Sequence, residues 1–321
     1  MSVVELEAVS RPGGSEHLEE PAARAFLEDA FMASFRALQA ARTTFLGDQG
    51  MEAVHGLRVA ARRFRGIIAL IRQLSPGDQL ADLSQQARAL ARAVAALREL
   101  DVLHAALLHH LEGRKQRKRG EQLAESFITV REQARHVALA AVNDLGLPPP
   151  AFMTRRVSGT SRPRLRALDG MDRRDARAPA SDIAARLLDG LARRVSKRSH
   201  GLRRMGTKQR HDLRIAVKNL RYATETFAAL FADDPRHARY LRRLARFQDL
   251  LGVCNDAATA KARLDAVTAA AGGDDANNLR KPARSFLAAQ KKKGRNAAAQ
   301  LKRRSRRLER AEAFWRSPRT A

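Results

Sequence analysis

Apolar residues return every three or four positions along most of the chain, as in Leu57, Phe64, Ile68 and Ile71, or Leu213, Leu220 and Phe227. That spacing is the period of an amphipathic α-helix, and no stretch shows the strict alternation of a half-buried strand. Gly and Pro punctuate the pattern. The first half predicts helices over about 21–46, 50–74, 78–111 and 121–145, separated by Gly47, by Ser75-Pro76-Gly77 and by Gly113, and closed by Gly146-Leu147-Pro148-Pro149-Pro150. The second half predicts helices over about 181–205, 207–232, 235–271 and 277–315, with breaks at Gly206, Asp233-Asp234-Pro235 and Gly272-Gly273. Residues 151–178 carry Gly, Pro, Ser and Arg without periodicity and read as a linker over the surface.

The chain therefore divides into an acidic leader (1–20), a first four-helix half (21–146), an Arg/Pro-rich linker (147–179), a second four-helix half (180–315) and a short tail (316–321). Short connections favour antiparallel neighbours, so each half is expected to be a four-helix bundle. The fold class is all-α.

Composition narrows the partners. The chain has 61 Lys plus Arg against 34 Asp plus Glu, a net charge of +27, and only 5% aromatic residues. Such an excess makes the compact state repel itself, and it points to a polyanionic partner: nucleic acid, an anionic membrane or a phosphate polymer. Cys254 is the single cysteine, which excludes an internal disulfide and a multi-thiolate metal site. No apolar run is long enough for a membrane span, and the first twenty residues lack the pattern of a signal peptide, so the expected location is cytoplasmic.

The duplication carries the chemistry. His55-Gly56-Leu57-Arg58-Val59-Ala60-Ala61-Arg62-Arg63-Phe64-Arg65 matches His211-Asp212-Leu213-Arg214-Ile215-Ala216-Val217-Lys218-Asn219-Leu220-Arg221, 156 residues later. Both fit H-x-L-R-[VI]-A-x-[RK]-x-[FL]-R. At roughly 100° per residue, His55, Arg58, Arg62 and Arg65 share one side of a helix and the apolar residues the other. His211, Arg214, Lys218 and Arg221 repeat the stripe. An ordinary solvated face interleaves acids with bases at i, i+4; neither stripe has an acid over its first ten positions. Two His at equivalent places on cationic ridges read as anion-contacting donors.

A second matched pair follows. Arg98-Glu99 in the first half stands opposite Asn255-Asp256 in the second, with Asp101 two residues on from Glu99. Glu99, Asp101, Asn255 and Asp256 are expected to be buried partners that orient the cations, in preference to metal ligands or a catalytic pair.

These segments resemble the CHAD family, the conserved histidine α-helical domain, over about residues 20–315. The resemblance rests on HGLRVAARRFR, HDLRIAVKNLRY, the RELDV segment and FQDLLGVCND. It implies two pseudo-twofold-related four-helix bundles that form one CHAD domain, with cations of both halves lining a central basic groove or pore. It also implies binding of inorganic polyphosphate, often on polyphosphate granules, where granule-associated proteins would be further partners. The binding residues it implies are His55, Arg58, Arg62, Arg65, His211, Arg214, Lys218 and Arg221, and the neighbouring Arg63 is expected to join them. Asn219 stands where a further Arg is frequent, and Glu99 where Asp is usual.

No P-loop, HExxH or glycine-rich cradle is present, and the acids sit singly beside cations, so neither catalysis, a metal nor a cofactor is expected. A non-specific nucleic-acid binder is the alternative. Ten Lys/Arg between Lys291 and Arg310 favour it, although Leu301 and Leu308 also make that run the outer face of the last helix.

Overall fold

The computed structural model describes residues 20–111, 117–147, 164–202, 204–271 and 275–316. The acidic leader up to residue 19 and the first part of the linker fall outside them. The described residues form helices and turns, with a single isolated β-bridge. Helices α1 (Ala23–Gly47), α2 (Met51–Leu74), α3 (Ala81–Ala93), α4 (Ala95–Leu111) and α5 (Arg117–Asp144) make the first half. After a short helix α6 (Arg173–Arg177) the second half holds α7 (Ala180–Ser199), α8 (Thr207–Thr226), α9 (Pro235–Ala271) and α10 (Asp275–Glu309).

Corresponding helices pack in corresponding ways: α1 on α2 and α7 on α8, α2 on α3 and α8 on α9, α4 on α5 and α9 on α10. Contacts between the halves also join counterparts, α1 with α7, α2 with α8, α4 with α9 and α5 with α10. The halves also meet where α5 packs on α9, which are not counterparts. The β-bridge pairs Ala22 with Pro179. Ala23 N–H donates to the Ala178 carbonyl at 2.9 Å and Ala180 N–H to the Pro21 carbonyl at 3.1 Å. The bridged Ala22 and Pro179 are 157 residues apart, the offset that also relates Glu99 to Asp256.

The halves do not keep separate cores. One large apolar cluster runs from Leu27, Phe31 and Phe64 in the first half through Leu188, Leu213, Leu220 and Phe247 in the second. A smaller one joins Leu103, Leu107 and Phe127 to Leu264, Val267 and Phe286. The two clusters explain why the helix expected over 78–111 is broken. At Val94 the backbone leaves helical geometry (φ −94°, ψ 9°) and the N–H bond to the Leu90 carbonyl stretches to 3.4 Å. The bend lets Leu90, Val94 and Leu97 pack in the large cluster while Leu103 and Leu107 reach the small one.

Other boundaries shift for similar reasons. The helix expected to run to 315 stops at Glu309, and the turn beyond it folds Phe314 and Trp315 into the core. There the Trp315 indole N–H donates to Asp189 at 2.7 Å, as does Arg316 Nε at 2.9 Å. The described end of the linker does more than cross the surface, because Leu165, Ala167, Leu168 and Met171 are buried. Arg24 pins it by donating to the Leu168 carbonyl at 3.1 Å and to Asp169 at 2.8 Å.

Phe64 is fully buried on α2, with its ring 5.2 Å from that of Phe31 and 5.5 Å from that of Phe35. It locks the apolar face whose reverse is the cationic stripe. Phe64→Ala is expected to cost about 3–5 kcal/mol in urea-monitored unfolding. A loss below about 1 kcal/mol would show that the face is not tightly packed.

Candidate polyanion-binding site

The stripe on α2 is set by the turn that precedes it. Gly50 N–H donates to Asp48 Oδ1 at 2.8 Å, and the Gln49 amide closes the end of α1 on the carbonyls of Phe45 and Leu46, both at 2.9 Å. From α5, Arg131 donates to the Gln49 backbone carbonyl and Arg135 to its side-chain oxygen, both at 3.1 Å. On α8, Gln209 folds back to accept the Gly206 N–H at 2.9 Å. Farther along, α2 and α8 come close: a Cβ added to Gly66 would lie 3.6 Å from the Tyr222 Cβ.

Between these helices four cations converge, two from each half. Arg58, Arg214 and Lys218 are half-buried, and each feels Arg62 as its strongest like charge. Burial, then Arg62, Arg214 and Arg58, brings Lys218 down to about 7 from an ordinary value of 10.5. Burial and Arg62 lower Arg58 to about 10, where it remains charged at neutral pH. Arg214 is lowered in the same sense. Its Nε, like that of Arg65, is buried without a hydrogen-bond partner. Arg58 has a single internal anchor, the Ala91 carbonyl at 3.4 Å. Like charges packed in this way destabilise the free protein and favour any anion that enters between them.

The other expected residues distribute differently. His55 and His211 are exposed near the starts of their helices. Partial desolvation, then Arg98, Arg62 and Arg58, lowers the His55 pKa, so without an anion its neutral form is favoured. Arg65 lies farther along the stripe, beside Arg88 and Arg92 of α3. Arg63 and Arg221 are not free ridge cations. Both are held by Glu225, at 3.1 and 2.8 Å, because that acid lies one turn beyond Arg221 and faces α2.

Of the proposed orienting acids, Glu99 favours the charge on Arg58, and Asp256 favours it on Arg214 and Lys218. These two equivalent acids are not buried as expected: both are exposed, where they share Arg263, at 3.4 and 3.6 Å. Asp101 serves elsewhere. It is 2% exposed and paired with Arg131 at 2.7 Å, tying α4 to α5. Asn255 is half-buried and gives its backbone carbonyl to the Thr259 hydroxyl at 3.1 Å. Arg263 and Arg98 are the cations the motifs did not mark as binding residues. Arg98 stood in the second motif beside Glu99; the only trace of Arg263 was its spacing of seven from Asp256, which puts both on one face of α9.

Among the described residues no group of three or more His, Cys, Asp or Glu gathers as a metal site, and no helix is long and apolar enough to cross a membrane. A cleft of about 200 Å³ opens on the opposite side of α8, lined by Leu220, Tyr240, Ser305 and Trp315. It touches none of the ridge cations.

The family model of the CHAD domain matches residues 29–265. The chain belongs to the CHAD domain family. Among solved structures it is similar to the crystal structure of the CHAD domain from the plant Ricinus communis, with 22% identity, coverage of 96% of this chain and 98% of that one, and a TM-score of 0.65. It is also similar to PptA from Streptomyces chartreusis, with 16% identity, coverage of 89% and 100%, and a TM-score of 0.58. At these identities the likeness shows a shared fold. No curated protein sequence matches the chain.

Lys218 makes the repulsion measurable. Its folded pKa of about 7 lies below the unfolded value of 10.5, so between those limits the unfolded chain binds more protons than the folded one. Stability without a ligand is therefore expected to rise with pH across that window and to show no Lys218 dependence below about 7. Urea unfolding from neutral to moderately alkaline pH should show this slope in the natural chain and a flatter one in Lys218→Met. Equal slopes would mean that Lys218 is not desolvated among cations.

Proposed function

We propose that this CHAD protein binds inorganic polyphosphate along the α2/α8 seam without acting on it chemically. The observation that supports the reading is the convergence of Arg58 and Arg62 from one half with Arg214 and Lys218 from the other, half-buried and short of counter-charge. Polyphosphate is a narrow thread with about one negative charge per unit and no base edges to recognise. Such a ligand suits a fixed array of donors, in which guanidinium forks engage phosphate oxygens in pairs and a lysine acts as a point charge. Glu99 and Asp256 would hold the array in place without filling it. His55 and His211 would stand where the thread enters each helix end. Association with polyphosphate granules is the cellular counterpart of this reading.

A phosphohydrolase would need carboxylates gathered around a divalent metal or a nucleophile beside a base. The acids near the seam are engaged by arginines, Glu99 and Asp256 by Arg263 and Glu225 by Arg63 and Arg221, which favours binding over hydrolysis.

Replacing Arg58, Arg62, Arg214 and Lys218 together by Gln is expected to weaken binding of long-chain polyphosphate by more than about a hundredfold, with the helical circular-dichroism signal unchanged. Binding that survives in the folded variant would overturn the assignment. Release of orthophosphate by the natural chain with Mg²⁺ would overturn its non-catalytic part.

A polyanion beside Lys218 raises its pKa, so binding should take up a proton near and above pH 7, and affinity should fall as pH rises beyond about 7. Calorimetry in two buffers of different ionisation enthalpy reads the uptake directly. Lys218→Gln should remove it.

A further inference from the structure

A second concentration of cations lies along α10, outside both matched motifs. Ten Lys/Arg stand between Lys291 and Arg310, and Glu309 is the sole carboxylate in that run. Ala297, Leu301, Ser305 and Leu308 are buried, and Glu309 accepts a hydrogen bond from the Ser305 hydroxyl at 3.1 Å. At roughly 100° per residue the cations cover an arc of roughly 220° of the helix, which sorts into three rows. Lys291, Arg295, Lys302 and Arg306 form one flank. Lys292, Arg303 and Arg310 form the crown, with Asn296 and Ala299 between them. Lys293, Arg304 and Arg307 form the other flank.

Helix α9 extends that last row. Arg243 Nη1 donates to the Arg307 carbonyl at 3.4 Å, and Arg246 lies close enough to act on Arg304. Partial desolvation, then Arg307, Arg303 and Arg246, lowers the Arg304 pKa, and no acid opposes the shift. This differs from the α2/α8 seam, where Glu99 favours the charge on Arg58, Asp256 that on Arg214 and Lys218, and Glu225 pairs with Arg221.

The spread of charge selects the ligand. A single phosphate thread follows one row at a time and leaves the others unneutralised. A ligand with two phosphate walls engages both flanks at once. The major groove of B-form DNA, about 12 Å wide, admits a helix about 10–12 Å across and borders it with a phosphate backbone on either side. A-form RNA has a deep, narrow major groove that does not admit one. Residues 287–313 contain no aromatic side chain, so the face offers no platform for the stacked bases of a single strand.

We propose that the outer face of α10 is a second, separate site that docks B-form duplex DNA through its phosphate walls, with α10 lying in the major groove and α9 flanking it. The site is independent of the α2/α8 seam. Its contacts are to the backbone, so binding is insensitive to base sequence and strongly dependent on salt.

The test uses the full chain, a labelled mixed-sequence DNA duplex of about 20 base pairs, an RNA duplex of equal length, and long-chain polyphosphate, each titrated at several salt concentrations. One variant carries Lys292→Gln, Arg303→Gln, Arg306→Gln and Arg307→Gln; these are exposed positions and Gln is a good helix former. A second carries Arg58→Gln and Lys218→Gln. The α10 variant is expected to lose DNA affinity by at least about tenfold, with a salt slope shallower by up to about 3.6. Its polyphosphate affinity and helical signal should be unchanged. The seam variant should keep its DNA affinity, and the natural chain should prefer DNA to the RNA duplex.

Three results would overturn the proposal: DNA binding lost in the seam variant and kept in the α10 variant, polyphosphate affinity falling with the α10 substitutions, or equal affinity for the two duplexes. Failure of the polyphosphate reading would appear separately, as intact polyphosphate binding in the seam variant.

Discussion

Helices α2 and α8 meet with cations of both on a common side, and this enforced closeness of like charge governs the rest of the molecule. Each helix turns a fully apolar face, with Leu57 and Phe64 on one and Leu213 and Leu220 on the other, into a shared core. Burying those faces draws Arg58, Arg62, Arg214 and Lys218 together whether or not the charges favour it. Apolar burial supplies the free energy, since each large side chain removed from water contributes on the order of 1.5–3 kcal/mol. The surrounding helices then limit the repulsion. Glu99 and Asp256 approach from the two halves and are bridged by Arg263, while Glu225 closes the far end by holding Arg63 and Arg221. What remains is a half-buried group of cations that lacks counter-charge, the condition in which a guanidinium or an ammonium gains most from an arriving anion.

Much of this was legible in the chain, for a definite reason. The repeated H-x-L-R pattern fixes which residues share a side of one helix, because that depends only on spacing. It therefore put Arg58 and Arg62 on one side of α2 and Arg214 and Lys218 on one side of α8, and the match between halves implied that the two stripes were counterparts. Contacts across helices depend on how the helices cross, which spacing within one helix does not encode. Asp101 lies two residues from Glu99, yet it turns to Arg131 of α5 and leaves the seam to its neighbour. Arg63 lies beside Arg62, yet it reaches Glu225 on the other half. Arg263 sits outside both motifs and was missed, because its role arises only where α4 and α9 come together. The bend at Val94 escaped for a related reason: local periodicity continues through it, and only the need to serve two apolar clusters makes it necessary.

The duplication is written into the contacts as well as the motifs, and its departures from symmetry are informative. The Ala22–Pro179 bridge and the α1–α7, α2–α8 and α5–α10 contacts join like with like. Arg263 has Ala106 at its equivalent position and Glu225 has Ala69, so the second half supplies both the bridging guanidinium and the acid that closes the seam. The two halves of the site are therefore unequal. On the proposed reading a phosphate thread would meet that inequality as a stronger field around Arg65, Arg88 and Arg92 than around Arg63 and Arg221, which Glu225 holds.

Half-buried and exposed cations also recognise different things. A desolvated cation has already lost much of its water, so an anion that fits beside it regains that interaction at short range, where salt screens weakly. That advantage belongs to a ligand thin enough to enter between two packed helices. Cations spread over the outside of α10 keep their water and act through a field that ions in solution readily screen. They gain by facing many phosphates at once, which demands breadth in the ligand. The +27 charge of the chain is therefore divided by geometry. On the two proposals its buried part would discriminate by the cross-section of the ligand, and its exposed part by the arrangement of phosphates across a surface.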